Sequence, residues 1–231
     1  MDALIRRRSM ISAGGYVPPT PPTPYTLVDY IETDGVAYIN TGVKPVNKGS
    51  AKMKILAKES SSSQIVIGVY SGSETASLFV MSALTASSKK CYFGYYFFYA
   101  TDGILVSDSM ANETPFDIQV SLVRYTQSLG VKQAGESSFT SYSKSQSSQT
   151  NSNYNMYLFA GDNPSNGAPI RNCVSGTRVY ECKIYSDENY HTLVFNGVPC
   201  YYNGEYGLWD MVSDSFFGNA ANSGSFTGPS I

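Results

Sequence analysis

From Leu27 onward, apolar residues recur at every second position, in short runs separated by Gly, Ser, Asn, Asp and Pro. A period of two puts alternate side chains on opposite faces of a strand, so each such run asks for one buried face. Ala51, Met53, Ile55 and Ala57 alternate with Lys52, Lys54 and Lys58. Phe116, Ile118, Val120 and Leu122 form a second series, and Ser128 to Lys132 starts the returning arm of a hairpin. Gln64 to Tyr70 and Ser77 to Ala83 are apolar, β-branched runs of the kind found inside sandwiches. Further strands are expected over Val36–Asn40, Cys91–Ala100, Tyr154–Ala160, Thr177–Tyr185, Tyr190–Phe195, Tyr206–Asp210 and Ser215–Phe217. In Thr177–Tyr185 the alternation groups Tyr180, Cys182 and Ile184 on one face. No stretch carries an apolar stripe at helical spacing. The pattern predicts an all-β, two-sheet antiparallel sandwich or jelly roll.

The composition suits that fold and narrows the function. Charged residues make up 15% of the 231, and 19 are tyrosines. With a net charge of −2, no broad field attracts nucleic acid or an anionic membrane, and neither is expected as a partner. No run reaches the roughly 20 apolar residues of a membrane helix. A sandwich of this length folds as one unit, so residues 25–231 are read as a single domain.

Residues 1–24 read differently. Pro18-Pro19-Thr20-Pro21-Pro22-Thr23-Pro24 favours an extended polyproline spacer. Ahead of it, Arg6, Arg7 and Arg8 imitate the charged start of an export signal, but Ser9, Ser12, Gly14 and Gly15 dilute the apolar run that should follow. The segment is expected to be retained as an extended arm that docks on a partner. Its basic-apolar part offers Leu4, Ile5, Arg6, Arg7, Arg8 and Ile11 as anchoring residues, the arginines for carboxylates or carbonyls and the aliphatics for apolar pockets.

Signals for chemistry are thin. Glu32-Thr33-Asp34 is the nearest approach to the paired carboxylates of a glycosidase, and no third glutamate follows on the strand. It is read as a solvated turn. His191 is the only histidine and is read as a surface or cross-strand residue; no Gly-x-Ser-x-Gly elbow accompanies it. Cys91, Cys173, Cys182 and Cys200 lack metal-ligand spacing and are read as buried thiols. No metal or other cofactor is expected, although Asp162, Asn163 and Asn166 are oxygen donors that calcium could use. The chain is not expected to be an enzyme. Glycan contact would need exposed aromatics, for which Tyr95, Tyr99, Tyr201 and Tyr202 are the candidates, with Tyr96 beside them. Tyr201-Tyr202-Asn203-Gly204 is read as a turn, and Trp209 as a core residue rather than a platform.

Several phrases bear a resemblance. Tyr30-Ile-Glu-Thr-Asp-Gly-Val-Ala-Tyr-Ile-Asn-Thr-Gly42 resembles the opening of laminin G-like, concanavalin A-like jelly rolls of phage virion and gut-bacterial surface proteins. Tyr157-Leu-Phe-Ala-Gly161, Arg178-Val-Tyr-Glu-Cys-Lys-Ile-Tyr185 and Tyr206-Gly-Leu-Trp-Asp-Met-Val-Ser-Asp-Ser-Phe-Phe217, with Phe226-Thr-Gly-Pro229 after them, resemble its later strands in the same order. The resemblance implies two facing antiparallel sheets that bind glycans, bind proteins or serve as structural modules. With the arm, it implies a structural virion protein of a tailed bacteriophage, a capsid decoration or head fibre on the virion surface. Its expected partners are capsid or other virion proteins and further copies of itself, as a trimer. The alternative is a carbohydrate-binding adhesion module of a phage tail or bacterial cell surface, contacting host surface glycans.

Overall fold

A computed structural model describes residues 24–60, 62–70, 78–83, 90–94, 104–106, 109, 112–123, 126–145, 153–163 and 166–230. The residues expected to anchor, Leu4, Ile5, Arg6, Arg7, Arg8 and Ile11, and the glycan-contact candidates Tyr95, Tyr96 and Tyr99, lie outside them. The first strands are β1 (Thr26–Leu27), β2 (Ile31–Thr33), β3 (Ile39–Asn40), β4 (Ser50–Leu56), β5 (Gln64–Val69), β6 (Leu78–Ala83) and β7 (Lys90–Gly94). Then follow β8 (Ile104–Leu105), β9 (Phe116–Val123), β10 (Thr126–Lys132), β11 (Thr140–Ser145), β12 (Tyr157–Leu158), β13 (Gly161–Asp162) and β14 (Pro169–Ile170). The last are β15 (Arg178–Tyr185), β16 (Leu193–Tyr202), β17 (Glu205–Asp210), β18 (Ser215–Phe217) and β19 (Phe226–Thr227).

These strands form two large, mainly antiparallel sheets. The larger runs β11-β10-β9-β4-β15-β16-β17-β18, with β1, β2 and β19 alongside; the smaller runs β14-β13-β5-β6-β7-β8, with β12 and β3 alongside. The chain passes repeatedly between sheets, so β4 sits between β9 and β15, strands distant in sequence. Alternation fixes which side of the larger sheet is the core. Ile55 lies opposite Phe116 and Val179, Met53 opposite Ile118 and Cys182, and Ala51 opposite Val120 and Ile184. All nine are buried, and each large one contributes about 1.5–3 kcal/mol by leaving water. From the smaller sheet, Val66, Ile67, Val69, Cys91, Phe93 and Leu158 complete the same core. β5 is buried along its whole length, as its unbroken apolar run requires.

Four expectations are corrected. Tyr180 does not share the face of Cys182 and Ile184: a bulge between Val179 and Glu181 adds a residue, so Val179 and Cys182 turn inward and Tyr180 outward. The strand expected over Val36–Asn40 shrinks to Ile39–Asn40, because the backbone N–H groups of Val36 and Ala37 donate to the Asp34 carboxylate (2.9 Å each) rather than to a ladder. Tyr154–Ala160 is no single strand. β12 runs antiparallel to β5, the chain reverses at Phe159, which has φ 68°, and β13 then runs parallel to β5. Phe159 is fully buried against Phe226, with ring centroids 5.2 Å apart, and that packing holds a backbone conformation side chains ordinarily avoid. Finally, Tyr190 to Thr192 precede the strand: β16 begins at Leu193 and runs through Tyr202.

Where β15 and β16 diverge, the opening strands fill the gap. β1 pairs with the far half of β16 (Leu27 opposite Cys200), and β2 pairs with β15 (Ile31 opposite Val179). The closing strand β19 pairs with β2 in turn. Asp34 accepts the N–H of Ser225, and Tyr206 Oη donates to the carbonyl of Pro229 at 3.0 Å. Ile31–Thr33 of the first phrase and Phe226–Thr227 of the last, far apart in sequence, are therefore paired neighbours in the larger sheet, while Ile39–Asn40 belongs to the smaller one.

Candidate functional site

The most distinctive surface lies on the outer face of the larger sheet, where β1, β16, β17 and β18 meet. Trp209 projects outward from β17, opposite Val198 on β16 and Phe216 on β18. A tryptophan on an outer face would be exposed, yet Trp209 is only 7% exposed. The cause is Tyr25. Paired through β1 to the edge of β16, it lays its ring over the indole at 4.5 Å and 26°. Tyr202 meets the indole edge-on at 5.4 Å, and the Tyr202 and Phe216 rings lie tilted to each other at 5.2 Å. The indole N–H donates to Asp214 at 3.0 Å, so its polar edge is satisfied. Gly207 permits the arrangement, since a Cβ there would stand 2.5 Å from the Phe217 carbonyl and 2.6 Å from the Phe216 ring.

Part of the rim of this cluster is apolar, beside exposed Ser213, Asp214 and Ser215. Leu27, Met211 and Val212 are 41%, 42% and 48% exposed, half of the large exposed hydrophobic residues among the described ones. Tyr25 Oη lies 3.5 Å from Met211 Sδ. Beneath the turn after β17, buried Asp210 accepts the N–H groups of Asn196, Val212 and Ser213, which fixes the turn that carries Met211 and Val212. An aromatic stack with a partly apolar rim can hold a proline-rich peptide, a sugar face or another protein surface.

The other expected aromatics separate. Tyr201 and Tyr202 are not in a turn; they end β16, and the turn is Asn203-Gly204, at φ 52° and 90°. Consecutive strand residues face opposite ways, so Tyr202 joins the Trp209 cluster while Tyr201 packs on Tyr206 at 4.9 Å. They cannot form one glycan platform together. Trp209 is buried, as its place in the closing strand suggested, but on the outer face rather than in the core. Tyr25 and Phe216 escaped the sequence reading. A tyrosine closing a proline run was the available signal for the first.

Further along the same face, cations lie over tyrosines. Arg178 sits over Tyr30 at 4.3 Å and pairs with Glu32 at 2.6 Å; Lys54 lies 5.9 Å from the Tyr180 ring and Lys52 4.3 Å from that of Tyr190. Glu32 is thus engaged by Arg178, and Asp34 by three backbone N–H groups. Both carboxylates of the Glu32-Thr33-Asp34 phrase hold the fold together. His191 stands exposed in the loop before β16 instead of in a strand, and its N–H donates to Asp187 at 3.1 Å. Asp187 also accepts from Asn189 and Thr192; the Thr192 N–H is the foremost cause of its pKa being held down to about 2.

Asp162 is the outlier. It is 4% exposed, and its Oδ1 has no hydrogen-bond partner among the described residues. Burial pushes its pKa up. The stacked Tyr38 and Tyr157, 4.8 Å apart, lie close by and feel its charge. Calcium would need six to eight oxygens. Asn166 Oδ1 already takes the Ala168 N–H, the Asn163 carbonyl takes the Gly167 N–H, and Tyr157 Oη occupies the Gly167 carbonyl. Among the described residues no group of three or more His, Cys, Asp or Glu side chains converges. The described Asn163, Asn166 and Gly167 oxygens are thus engaged within the loop itself.

All four cysteines are free and buried, and burial raises Cys91 and Cys200 to about 12. An apolar pocket of about 140 Å³ lies beneath Val43–Val46, lined also by Met156, Ile184, Tyr185 and Val194. No protein-family model and no curated protein matches the chain.

Proposed function

We propose that the chain is a structural virion protein of a tailed bacteriophage, a capsid decoration or head fibre. In this reading its sheets form a laminin G-like, concanavalin A-like jelly roll displayed on the virion surface. Leu4, Ile5, Arg6, Arg7, Arg8 and Ile11 hold it to capsid or other virion proteins, and copies associate, as a trimer. The observation that supports it is the root of the arm. Tyr25 stacks on Trp209 and β1 joins the sheet immediately after the proline run, so whatever residues 1–24 grip, the domain is held through a fixed joint. The order of the phrases from Tyr30 to Pro229 adds the resemblance to virion domains. The test is incorporation. Particles from cells making the full-length protein or the R6E/R7E/R8E variant are purified and probed by mass spectrometry. Retention of the variant at the level of the unmodified protein overturns the anchoring role.

A second reading, a carbohydrate-binding adhesion module of a phage tail or bacterial surface, draws on half-exposed Tyr202 and Phe216. A broad glycan array on which the full-length protein binds nothing removes it.

A further inference from the structure

We propose that Asn203–Gly204, the turn between β16 and β17, is a self-modifying site: in the folded domain Asn203 exchanges its side-chain amide for a carboxylate and becomes aspartate or isoaspartate. The conversion loosens the hairpin beside Tyr202 and the Trp209 stack.

Three Asn-Gly pairs occur in the chain, at Asn166, Asn196 and Asn203. Such a pair is reactive because glycine has no side chain to shield its N–H from the preceding carboxamide. The fold separates the three. Asn196–Gly197 lies inside β16, where the Asn196 N–H donates to Asp210 and Gly197 is paired with Cys182 on one side and Asp210 on the other. The Gly167 N–H donates to the Asn163 carbonyl at 2.7 Å, and Asn166 Oδ1 accepts the Ala168 N–H at 3.0 Å. Asn203 and Gly204 are both exposed, at φ 52° and 90°, and the Tyr202–Glu205 pair closes the ladder outside them. Among the described residues neither the Asn203 carboxamide nor the Gly204 N–H has a hydrogen-bond partner. A Cβ on Gly204 would meet nothing within 4 Å, so the turn has open space in which to rotate.

The Gly204 nitrogen gives its proton to hydroxide and attacks Asn203 Cγ. The N–Cγ bond forms, the Cγ–Nδ2 bond breaks, and ammonia leaves with a proton taken from water. Water then opens the five-membered succinimide. Opening at the side-chain carbonyl gives aspartate, and opening at the main-chain carbonyl gives isoaspartate. Nothing is oxidised or reduced, and water is the co-reactant. Either product places a carboxylate two residues from Glu205, whose side chain holds the Asn219 N–H at 2.7 Å. Isoaspartate also adds a carbon to the main chain. A two-residue hairpin turn tolerates few geometries, so the Tyr202–Glu205 pair loosens first. Tyr202 is the ring that meets the indole edge-on, so ageing of the turn reaches the aromatic face. None of this depends on what residues 1–24 bind or on the virion reading.

The test ages the full-length protein in mildly alkaline buffer made with oxygen-18 water, then digests it and maps the labelled sites by mass spectrometry. Conversion at Asn203 should outrun that at Asn166 and Asn196 by about tenfold, because each of those must first break hydrogen bonds. In concentrated urea, where those bonds are gone, the three rates should converge. Amide exchange at Tyr202 and Glu205 should quicken as isoaspartate accumulates. It should not quicken in aged Asn203→Gly, which accepts the positive φ of the turn and has no side-chain amide. The amide spectrum of the fresh variant reports that it is folded. Conversion at Asn203 no faster than at the other two sites in the folded protein overturns the proposal. A lead for Asn203 that persists unchanged in urea also overturns it, by removing the fold as the cause. Equal quickening in the aged variant overturns the link to the hairpin.

Discussion

Tyr25 and Trp209, separated by most of the domain's sequence, stack with ring centroids 4.5 Å apart and turn an outward-facing tryptophan into a buried one. The first described residues are therefore held to the sandwich by a packed contact. Tyr25→Ala should remove the stack and the area it covers, costing about 1–2 kcal/mol. Trp209 emission should shift to the red before any unfolding, and urea melts should show the lower stability. An unshifted spectrum would mean that another group covers the indole.

Gly207 tests the same cluster from below. Its missing Cβ leaves room for the Phe217 carbonyl and the Phe216 ring. A backbone oxygen at 2.5 Å cannot rotate away as a side chain can. Gly207→Ala should separate β18 from β17 and destabilise by about 1–3 kcal/mol, read as faster amide exchange in Ser215–Phe217 and a lower melting temperature.

Asp162 should make the protein less stable as pH rises. Its folded pKa is raised by burial. The folded protein therefore holds the proton more tightly than the unfolded chain, whose value is about 3.9. As pH climbs from that value through the folded pKa, the unfolded chain ionises first and stability falls. Asp162→Asn keeps a neutral side chain at every pH, so it should raise the urea midpoint at pH 7 and leave it nearly unchanged at pH 4. Equal midpoints at pH 7 would contradict this.

Asp187 should act in the opposite sense. Its folded pKa, about 2, lies below the unfolded value because the carboxylate accepts backbone N–H groups from Thr192, His191 and Asn189. The stabilisation is complete above the unfolded pKa and is lost as pH falls toward about 2. Asp187→Asn should flatten that acid limb and speed amide exchange at His191 and Thr192, with little effect on the aromatic cluster.

The alternation in Ala51–Lys58 and in Phe116–Leu122 was legible because burial of one face is a local demand, written residue by residue. It determined the class of fold and the core rows. The Glu32-Thr33-Asp34 phrase, read as a solvated turn, instead places Glu32 and buried Thr33 in β2 and engages its carboxylates with Arg178 and the Ser225 N–H, partners that only the tertiary structure supplies. What tertiary structure alone decided was phase and neighbourhood. One bulge turned Tyr180 outward, one positive φ at Phe159 broke a strand in two, and the continuation of β16 through Tyr202 left Tyr201 and Tyr202 on opposite faces. The seat on Trp209 needed β1 to reach β16 across the length of the domain. Pattern along a chain records which residues must leave water; it does not record which distant strand will cover them, because that is set by pairings whose energies appear only once the sheets have formed.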